Sequence, residues 1–128
     1  CKIAIGQLPC YKVFEDEEFL AFLDIMPRNR GHVLVIPKEH HRWVWDMDKD
    51  ATGRYFEICS MIANAQRKAF NTDWVVSTIF GDEIPHAHIW LVPRFNDDGH
   101  GGSLSLSNIK KYSDDEMKSF AATIKSNL

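Results

Sequence analysis

Several features that assign a protein to a broad class are scarce or missing in this sequence. No apolar run approaches the roughly 20 residues needed to cross a bilayer, so we expect no membrane-spanning helix. The 3 cysteines, Cys1, Cys10 and Cys59, are an odd number at wide spacings. They make a poor disulfide framework and favour a reducing cytoplasm. The formal net charge of -3 argues against general nucleic-acid binding, which requires an excess of basic residues.

The composition is that of an ordinary globular protein. Apolar residues make up 45% of the chain and charged residues 26%, and there is no internal repeat or low-complexity tract. A length of 128 residues is enough for one hydrophobic core. We therefore expect a single domain over residues 1–128.

Two kinds of apolar periodicity predict the secondary structure. Alternating or continuous apolar segments predict strands at residues 11–15, 19–23, 32–37, 74–79 and 84–93. Helical spacing of apolar residues predicts a long helix over residues 50–70, capped by Asp50 or Thr52. Ser113 and Glu116 form a capping box that begins a final helix. Strands joined by short links, with few helices, predict an α+β fold with a mostly antiparallel sheet.

Two groups of residues are expected to be solvated. Residues 96–103 are rich in glycine and aspartate and are predicted to form a flexible loop. Four basic residues are predicted to lie on the surface: Arg28, Arg30, Lys38 and His41.

The stretch IPHAHIWLVPR, residues 84–94, places two histidines inside the most apolar segment of the chain. In a strand, side chains alternate between the two faces of the sheet. The core side would hold Ala87, Ile89 and Leu91. The opposite side would hold His86, His88, Trp90 and Val92. Alternate residues stand roughly 6.6 Å apart, at ~3.3 Å per residue, so two imidazoles and an indole would lie side by side.

Three interpretations fit this pair of histidines. They could be ordinary histidines on a half-exposed sheet face, hydrogen-bonded to their neighbours. One of them could be a nucleophile toward phosphorus, because an imidazole with a pKa of ~6.5 is largely neutral near pH 7. Such a nucleophile needs a neighbour that fixes its tautomer and donors that hold the phosphate oxygens. Alternatively they could bind a metal ion, with a further ligand from among His32, His40, His41, Asp82 and Glu83.

The segment HAHIWLVPR resembles the motif of the histidine triad (HIT) family, in which three histidines alternate with apolar residues and Pro-Arg often follows. The resemblance extends to GQLPCYKVFEDEEFLAFLDIMPRNRGHVLVIPKEHH, residues 6–41, which is similar to the N-terminal half of the family almost throughout. It implies a HIT-like α+β domain with a five-stranded, mostly antiparallel sheet, one long central helix and a C-terminal helix.

The resemblance also implies an activity: hydrolysis of nucleoside phosphoramidates or dinucleoside polyphosphates through a covalent nucleotidyl-histidine. His88 matches the nucleophile that attacks the α-phosphorus, and His86 matches the histidine that orients it. His32 matches a histidine that backs the site, and Asp24 matches the acid that holds the ribose hydroxyls. The apolar walls of the nucleoside pocket match Ile3, Leu8, Phe22, Leu23 and Ile25.

Two places depart from the family pattern. Trp90 stands where the third histidine is expected, and tryptophan can donate one indole N–H to a phosphate but cannot shuttle a proton. In the preceding loop, Gly81 matches a family glycine that contacts substrate, whereas Asp82 and Glu83 replace a glutamine and a hydroxyl residue. A carboxylate 4 Å from a phosphate charge would cost about 4 kcal/mol at an effective dielectric constant of ~20. We therefore expect an altered substrate choice, with Gly81 and Glu83 among the substrate-contacting residues.

Cofactors, partners and alternatives follow from the same resemblance. No cofactor is required, but a structural zinc found in some bacterial members would have Cys1, His40 and His86 as its ligands here. The implied substrate is a purine nucleotide or dinucleotide, and the implied assembly is a homodimer joined across the long helix and the neighbouring strand. Two alternatives remain open: a weak or inactive nucleotide-binding regulatory protein, and a metal-binding protein.

Overall fold

The alternating segments form one five-stranded sheet in the computed structural model, which describes residues 9–81 and 84–128. The strands are β1 (Lys12–Glu15), β2 (Phe19–Leu23), β3 (Val33–Pro37), β4 (Val75–Phe80) and β5 (His88–Pro93). Their order across the sheet is β1-β2-β3-β5-β4, and each neighbouring pair is antiparallel. The predicted α+β class and five-stranded antiparallel sheet are confirmed.

Two helices accompany the sheet, α1 (Lys49–Ala69) and α2 (Asp114–Ser126), as predicted. The cap of α1 is Asp48, not Asp50 or Thr52, because the Asp48 side chain accepts the backbone N–H of Ala51 at 2.8 Å. The capping box of α2 forms as predicted. A short 3-10 turn, Val44–Asp46, precedes α1. In the part of the chain that the structure describes, no helix is long and apolar enough to span a membrane.

Strand β5 starts at His88, four residues later than predicted. Pro85 has no N–H to donate to a sheet ladder, and the backbone N–H of His86 turns back to the carbonyl of Ile84 at 2.8 Å. The N–H of Ala87 bonds to the carbonyl of His41, which lies outside the sheet, at 2.7 Å. Hydrophobic alternation predicts which way these side chains face but cannot show where ladder pairing begins.

Both helices pack on one face of the sheet, which we call the core face. The main core combines sheet and helix residues: Val33, Val35, Ile89 and Leu91 with Tyr55, Cys59, Ile62, Met117, Ala121 and Ile124. The opposite face, which we call the histidine face, has a smaller apolar cluster of Leu20, Phe22 and Ile36. The predicted alternation in β5 is confirmed, because Ala87, Ile89 and Leu91 all belong to the main core.

A buried glutamine and a glycine fix the end of β3 beside the histidine face. Gln66 on α1 donates to the carbonyls of Gly31 at 2.8 Å and Leu91 at 3.0 Å, which ties the helix to β5 and to the approach to β3. Gly31 has φ +80, and a Cβ there would lie 2.2 Å from the Phe70 ring. Only glycine fits this turn, and the turn delivers His32 to its place.

Candidate functional site

The histidine face brings three of the predicted catalytic side chains together. Leu34 on β3, Trp90 on β5 and Thr78 on β4 lie directly opposite one another in the sheet. His88 precedes Trp90 by two residues and therefore shares its face. His32, immediately before β3, packs edge-on against Trp90 with ring centroids 4.6 Å apart.

The tautomer of His88 is fixed by a backbone carbonyl. Its Nδ1 lies 2.8 Å from the carbonyl oxygen of His86, and because a carbonyl can only accept, Nδ1 must donate. A neutral His88 therefore has its lone pair on Nε2. No group within residues 9–81 and 84–128 forms a hydrogen bond with that Nε2. This is the state in which an imidazole can act as a nucleophile.

His86 orients its neighbour through its main chain, while its own ring anchors the segment. The Nε2 of His86 donates to the carbonyl of Pro37 at 3.0 Å, so its lone pair is on Nδ1, which is buried without a partner. Burial lowers the pKa of His86, and the bond to Pro37 opposes this effect only in part. The ring is therefore a neutral structural support for the carbonyl that holds His88.

Asp24 and His32 form a buried acid–imidazole pair with one hydrogen bond unmade. His32 accepts the backbone N–H of Arg28 at Nδ1, 3.1 Å away, so its proton is on Nε2. That Nε2 has no hydrogen-bond partner and lies 3.6 Å from Oδ2 of Asp24, beyond hydrogen-bond length. Asp24 accepts the N–H of Met26 at 2.8 Å.

Burial dominates the acid–base behaviour of this pair. Desolvation raises the pKa of Asp24, against the lowering effect of the Met26 N–H and of the positive charge of Arg28. Desolvation, reinforced by Arg28, lowers the pKa of His32 to about 3. His32 is therefore a neutral group that cannot serve as a proton donor near pH 7.

Arg28 belongs to this site, although it was predicted to lie on the solvated surface. Its side chain is only 13% exposed, and its guanidinium carbon lies 4.7 Å from the centroid of the Trp90 ring. Nε donates to the carbonyl of Leu106 at 2.9 Å and Nη1 to that of Met26 at 2.6 Å. Nη1 also lies 4.0 Å from Oδ2 of Asp24. The prediction was wrong because nothing in a loop sequence shows that an arginine folds back over an aromatic ring.

The loop predicted to be flexible is held by a buried carboxylate. Asp98 accepts hydrogen bonds from Arg94 Nε at 2.7 Å, Asn29 Nδ2 at 2.9 Å, and the N–H groups of Phe95 and His100. The side chains of Arg94 and Asp98 are 1% and 4% exposed. Burial alone would raise the pKa of Asp98, but these donors outweigh it and hold the pKa well below its usual range.

We call this group of residues, Asn29, Arg94, Asp98 and His100, the Asp98 clamp. Nε2 of His100 donates to the carbonyl of Arg28 at 2.6 Å, and Nδ1 accepts the N–H of Ser105 at 3.0 Å. The clamp therefore holds the backbone of Arg28 in place through the hydrogen bond from His100. Hydrogen bonds between residues more than 60 positions apart leave no trace in a single sequence, so neither Asn29 nor Asp98 was predicted.

The predicted walls of the nucleoside pocket do not all share one face. Phe22 is buried on the histidine face, whereas Leu23 is 1% exposed within the main core. The assignment of Leu23 to the pocket was wrong, because alternation along β2 directs its side chain toward the helices. Ile25 is 77% exposed just after Asp24. Ile3 and Leu8 lie outside the described residues.

Gly81 follows β4 directly after Phe80, the residue that pairs with His88. It is buried, and a Cβ there would lie 2.2 Å from the ring of Trp43. A larger residue at this position would have to displace the ring of Trp43. Glu83, predicted to contact substrate, lies outside the described residues.

Two of the three predicted zinc ligands are neighbours. The rings of His40 and His86 have centroids 5.2 Å apart, and the unpartnered Nδ1 of His86 has a free lone pair. Two imidazoles do not complete a zinc site, which takes four ligands. Cys1 lies outside the described residues, and among those described no group of three or more potential ligands is found.

A cavity of ≈ 570 Å³ borders the loop that follows β2, on the side away from the histidine face. Its walls are Tyr11, Ile25, Met26, Pro27, Ile109, Lys110, Lys111, Tyr112 and Met117. Met117 belongs to the main core and none of the histidines lines the cavity, so it does not open onto His88.

Known proteins are similar to this chain in sequence. The HIT domain model matches residues 6–97. An uncharacterized HIT-like protein of Borreliella burgdorferi is 41% identical over 108 residues, which cover 79% of this chain and 78% of that protein. The adenosine 5'-monophosphoramidase of Schizosaccharomyces pombe is 31% identical, over 77% of this chain and 74% of its own. The adenylylsulfatase of Arabidopsis thaliana is 30% identical, over 100% of this chain and 68% of its own.

The fold is also found in solved structures. The crystal structure of a hypothetical histidine triad nucleotide-binding protein from Sulfolobus tokodaii superimposes with a TM-score of 0.85 and 26% identity, covering 99% of this chain and 89% of that one. Residues 6–97, which the HIT domain model matches, include the histidine-bearing strand and the loop with Asp24 and His32. The chain therefore belongs to the HIT family.

Proposed function

We propose that this protein binds a purine nucleotide on the histidine face and hydrolyses its nucleotidyl bond, with His88 as the nucleophile and Trp90 at the third triad position. The observation that supports this most directly is the 2.8 Å bond from Nδ1 of His88 to the carbonyl of His86, which leaves the Nε2 lone pair available. An adenosine 5'-monophosphoramidase and an adenylylsulfatase among the relatives favour an adenylyl substrate.

In the first step, Nε2 of His88 attacks the α-phosphorus. The N–P bond forms, the bond from phosphorus to the leaving group breaks, and the leaving group departs with the electron pair. The ring gains a positive charge, which the carbonyl of His86 stabilises through Nδ1–H. In the second step, water attacks phosphorus, the P–N bond breaks, and the nucleoside monophosphate and a proton are released.

Asp24 binds the ribose in this proposal. It directly follows β2, two residues after Phe22 of the histidine face, and a carboxylate can accept hydrogen bonds from two vicinal hydroxyls. The Asp24 side chain is 11% exposed and accepts only one backbone N–H among the described residues, so lone pairs remain for a ligand. Phe22 on the same face is suited to contact the flat base.

Turnover of adenylyl compounds tests the proposal. We expect release of AMP from adenosine 5'-phosphoramidate, adenosine 5'-phosphosulfate or diadenosine polyphosphates, measured by chromatography. His88→Ala should lower the rate by roughly 1,000-fold or more, because the nucleophile is lost. His41→Gln, which alters an imidazole 4.0 Å from the exposed carboxylate of Glu39, is the matched control and should keep the wild-type rate.

Three outcomes would contradict this proposal in whole or in part. Full activity in His88→Ala would exclude His88 as the nucleophile. Nucleotide binding by calorimetry with no release of AMP would support the alternative of a non-catalytic nucleotide-binding protein. Metal bound by the wild type and lost in His88→Ala would support the metal-binding alternative, with His86 and His88 as ligands.

A homodimer is part of the same proposal. Phe56 and Met61 on α1 are 43% and 37% exposed, and within residues 9–81 and 84–128 β4 is an edge strand with no pairing partner on one side. A second copy of the chain could cover this helix and extend the sheet. Light scattering should give twice the monomer mass, and Phe56→Glu should reduce it to the monomer mass.

A further inference from the structure

Among residues 9–81 and 84–128, the side chains packed on Trp90 include no proton donor that could act near pH 7. The indole ring contacts His32, Phe80 and Arg28, with Thr78 opposite it in the sheet. The indole and the guanidinium do not release protons at this pH. His32 is fully buried, and its one ring proton, on Nε2, faces Asp24 rather than the sheet surface.

Arg28 brings a permanent positive charge to this place instead. The guanidinium lies 4.7 Å from the centroid of Trp90, on the face that also bears His88. Two of its five N–H groups are used by the carbonyls of Leu106 and Met26. The other three form no hydrogen bond within residues 9–81 and 84–128. Such a group can receive an anion but cannot protonate an amine.

We infer that Arg28, held over Trp90, binds the departing group and restricts the reaction to nucleotidyl anhydrides whose leaving group is a stable anion, such as a phosphate chain or sulfate. This inference rests on the proposed function, with His88 attacking the α-phosphorus. The P–O bond breaks, its electron pair stays on the leaving oxygen, and no proton is needed. Arg28 stabilises the charge that develops on that oxygen.

A phosphoramidate, in contrast, requires a proton for its leaving group. When its P–N bond breaks, the electron pair stays on nitrogen, and an unprotonated amide ion is a very poor leaving group. The nitrogen must gain a proton, and the groups packed on Trp90 offer none. General acid catalysis typically contributes 10²- to 10⁴-fold, so we expect this protein to be a poor phosphoramidase.

Adenosine 5'-phosphosulfate and adenosine 5'-phosphoramidate make a matched pair, because they share the adenylyl group and differ only in the leaving group. We expect the wild type to favour the phosphosulfate by about 100-fold or more in kcat/KM, relative to the ratio of their uncatalysed rates. Equal or greater preference for the phosphoramidate would overturn the inference while leaving the proposed function intact. Release of AMP from neither compound would overturn the proposed function itself.

Arg28→Met tests the arginine directly, because methionine keeps the apolar contact with Trp90 and removes the charge. We expect kcat for the phosphosulfate to fall by about 10- to 100-fold, while kcat for the phosphoramidate stays within about threefold. A merely structural arginine would lower both rates by the same factor, and that result would overturn the inference.

Arg30→Met is the matched control. Arg30 is exposed and stacks on Phe95 with its guanidinium carbon 3.7 Å from the ring centroid, so it is a second arginine–aromatic pair in the same loop. It does not contact Trp90 in the described structure. The preference for the phosphosulfate should therefore survive in Arg30→Met, and a loss equal to that of Arg28→Met would overturn the assignment to Arg28.

Discussion

Two buried polar clusters lie side by side in this protein, and they treat their hydrogen bonds differently. In the Asp98 clamp, the carboxylate accepts hydrogen bonds from four residues. Arg94 donates to Asp98 and to the carbonyl of Gly101. On the histidine face, by contrast, Nε2 of His32 and Nδ1 of His86 are buried without partners. Native proteins seldom leave buried polar atoms unsatisfied.

The contrast distinguishes scaffold from site. A cluster in which every polar group is hydrogen-bonded is rigid and specifies one arrangement. Buried donors and acceptors without partners, in contrast, are available to bind a ligand or to change their protonation state. The two clusters are joined, because His100 of the clamp donates to the carbonyl of Arg28. Disrupting the clamp should therefore cost stability, and disrupting the histidine face should cost binding or change pH dependence.

The largest effect is expected for Asp98→Ala. This change leaves Arg94, whose side chain is 1% exposed, as an uncompensated buried charge. Removing one partner of a buried ion pair typically costs about 3–5 kcal/mol of the free energy of unfolding. Urea denaturation measures this loss, with Asp97→Ala, an exposed neighbour, as the control. A loss below about 1 kcal/mol would show that the clamp is not a stabilising unit.

Asp24→Asn should have the opposite effect to Asp98→Ala: a small change in stability and a large loss of nucleotide affinity. Asp24 is a poorly solvated carboxylate, so its neutralisation should change the free energy of unfolding by less than about 1 kcal/mol. Hydrogen bonds to a charged group contribute about 1.5–3 kcal/mol, so the affinity for AMP should fall by roughly 10- to 100-fold. Calorimetric titration provides both affinities.

The ligand itself offers the control for Asp24. The wild type should bind 2'-deoxy-AMP more weakly than AMP, because one ribose hydroxyl is missing. Asp24→Asn should bind the two nucleotides almost equally. Equal binding of both nucleotides by the wild type would remove Asp24 from the ribose site.

The fold could be predicted from sequence because its signals are local. Period-two alternation located the strands, and the Ser113–Glu116 box located α2. Ends were predicted less well: β5 begins at His88 because Pro85 and a tight turn at Ile84 interrupt the ladder. The side on which His88 and Trp90 face follows from alternation alone and did not depend on that boundary.

The site was predicted only where one strand or one motif determines it. The histidines and Asp24 were found from the motif, whereas Leu23 was misplaced because its side chain faces the core. Arg28 was missed because its role depends on a loop folding over a strand 62 positions away, from residue 28 to residue 90. Contacts of that kind arise from tertiary packing, which local periodicity does not encode.

The smallest expected effect is a change in the pH dependence of the free energy of unfolding, caused by His32. The pKa of His32 is lowered to about 3 in the folded protein, against ~6.5 in an unfolded chain. Between these values the unfolded state binds the extra proton, so stability rises with pH and is lost on acidification. One such proton contributes a slope of up to about 1.4 kcal/mol per pH unit. His32→Gln removes this titration and keeps a side chain that can accept the N–H of Arg28.

The measurement is the free energy of unfolding of wild type and His32→Gln at several pH values from 7 to 5. His86, which also has a lowered pKa, and Asp24, whose raised pKa has the opposite sign, are present in both proteins and largely cancel in the difference. The stability advantage of the wild type should therefore shrink on acidification by up to about 1.4 kcal/mol per pH unit. Parallel curves would mean that His32 takes up a proton as readily in the folded protein as in the unfolded chain. The burial of its unpaired Nε2 would then no longer set the histidine face apart from the clamp.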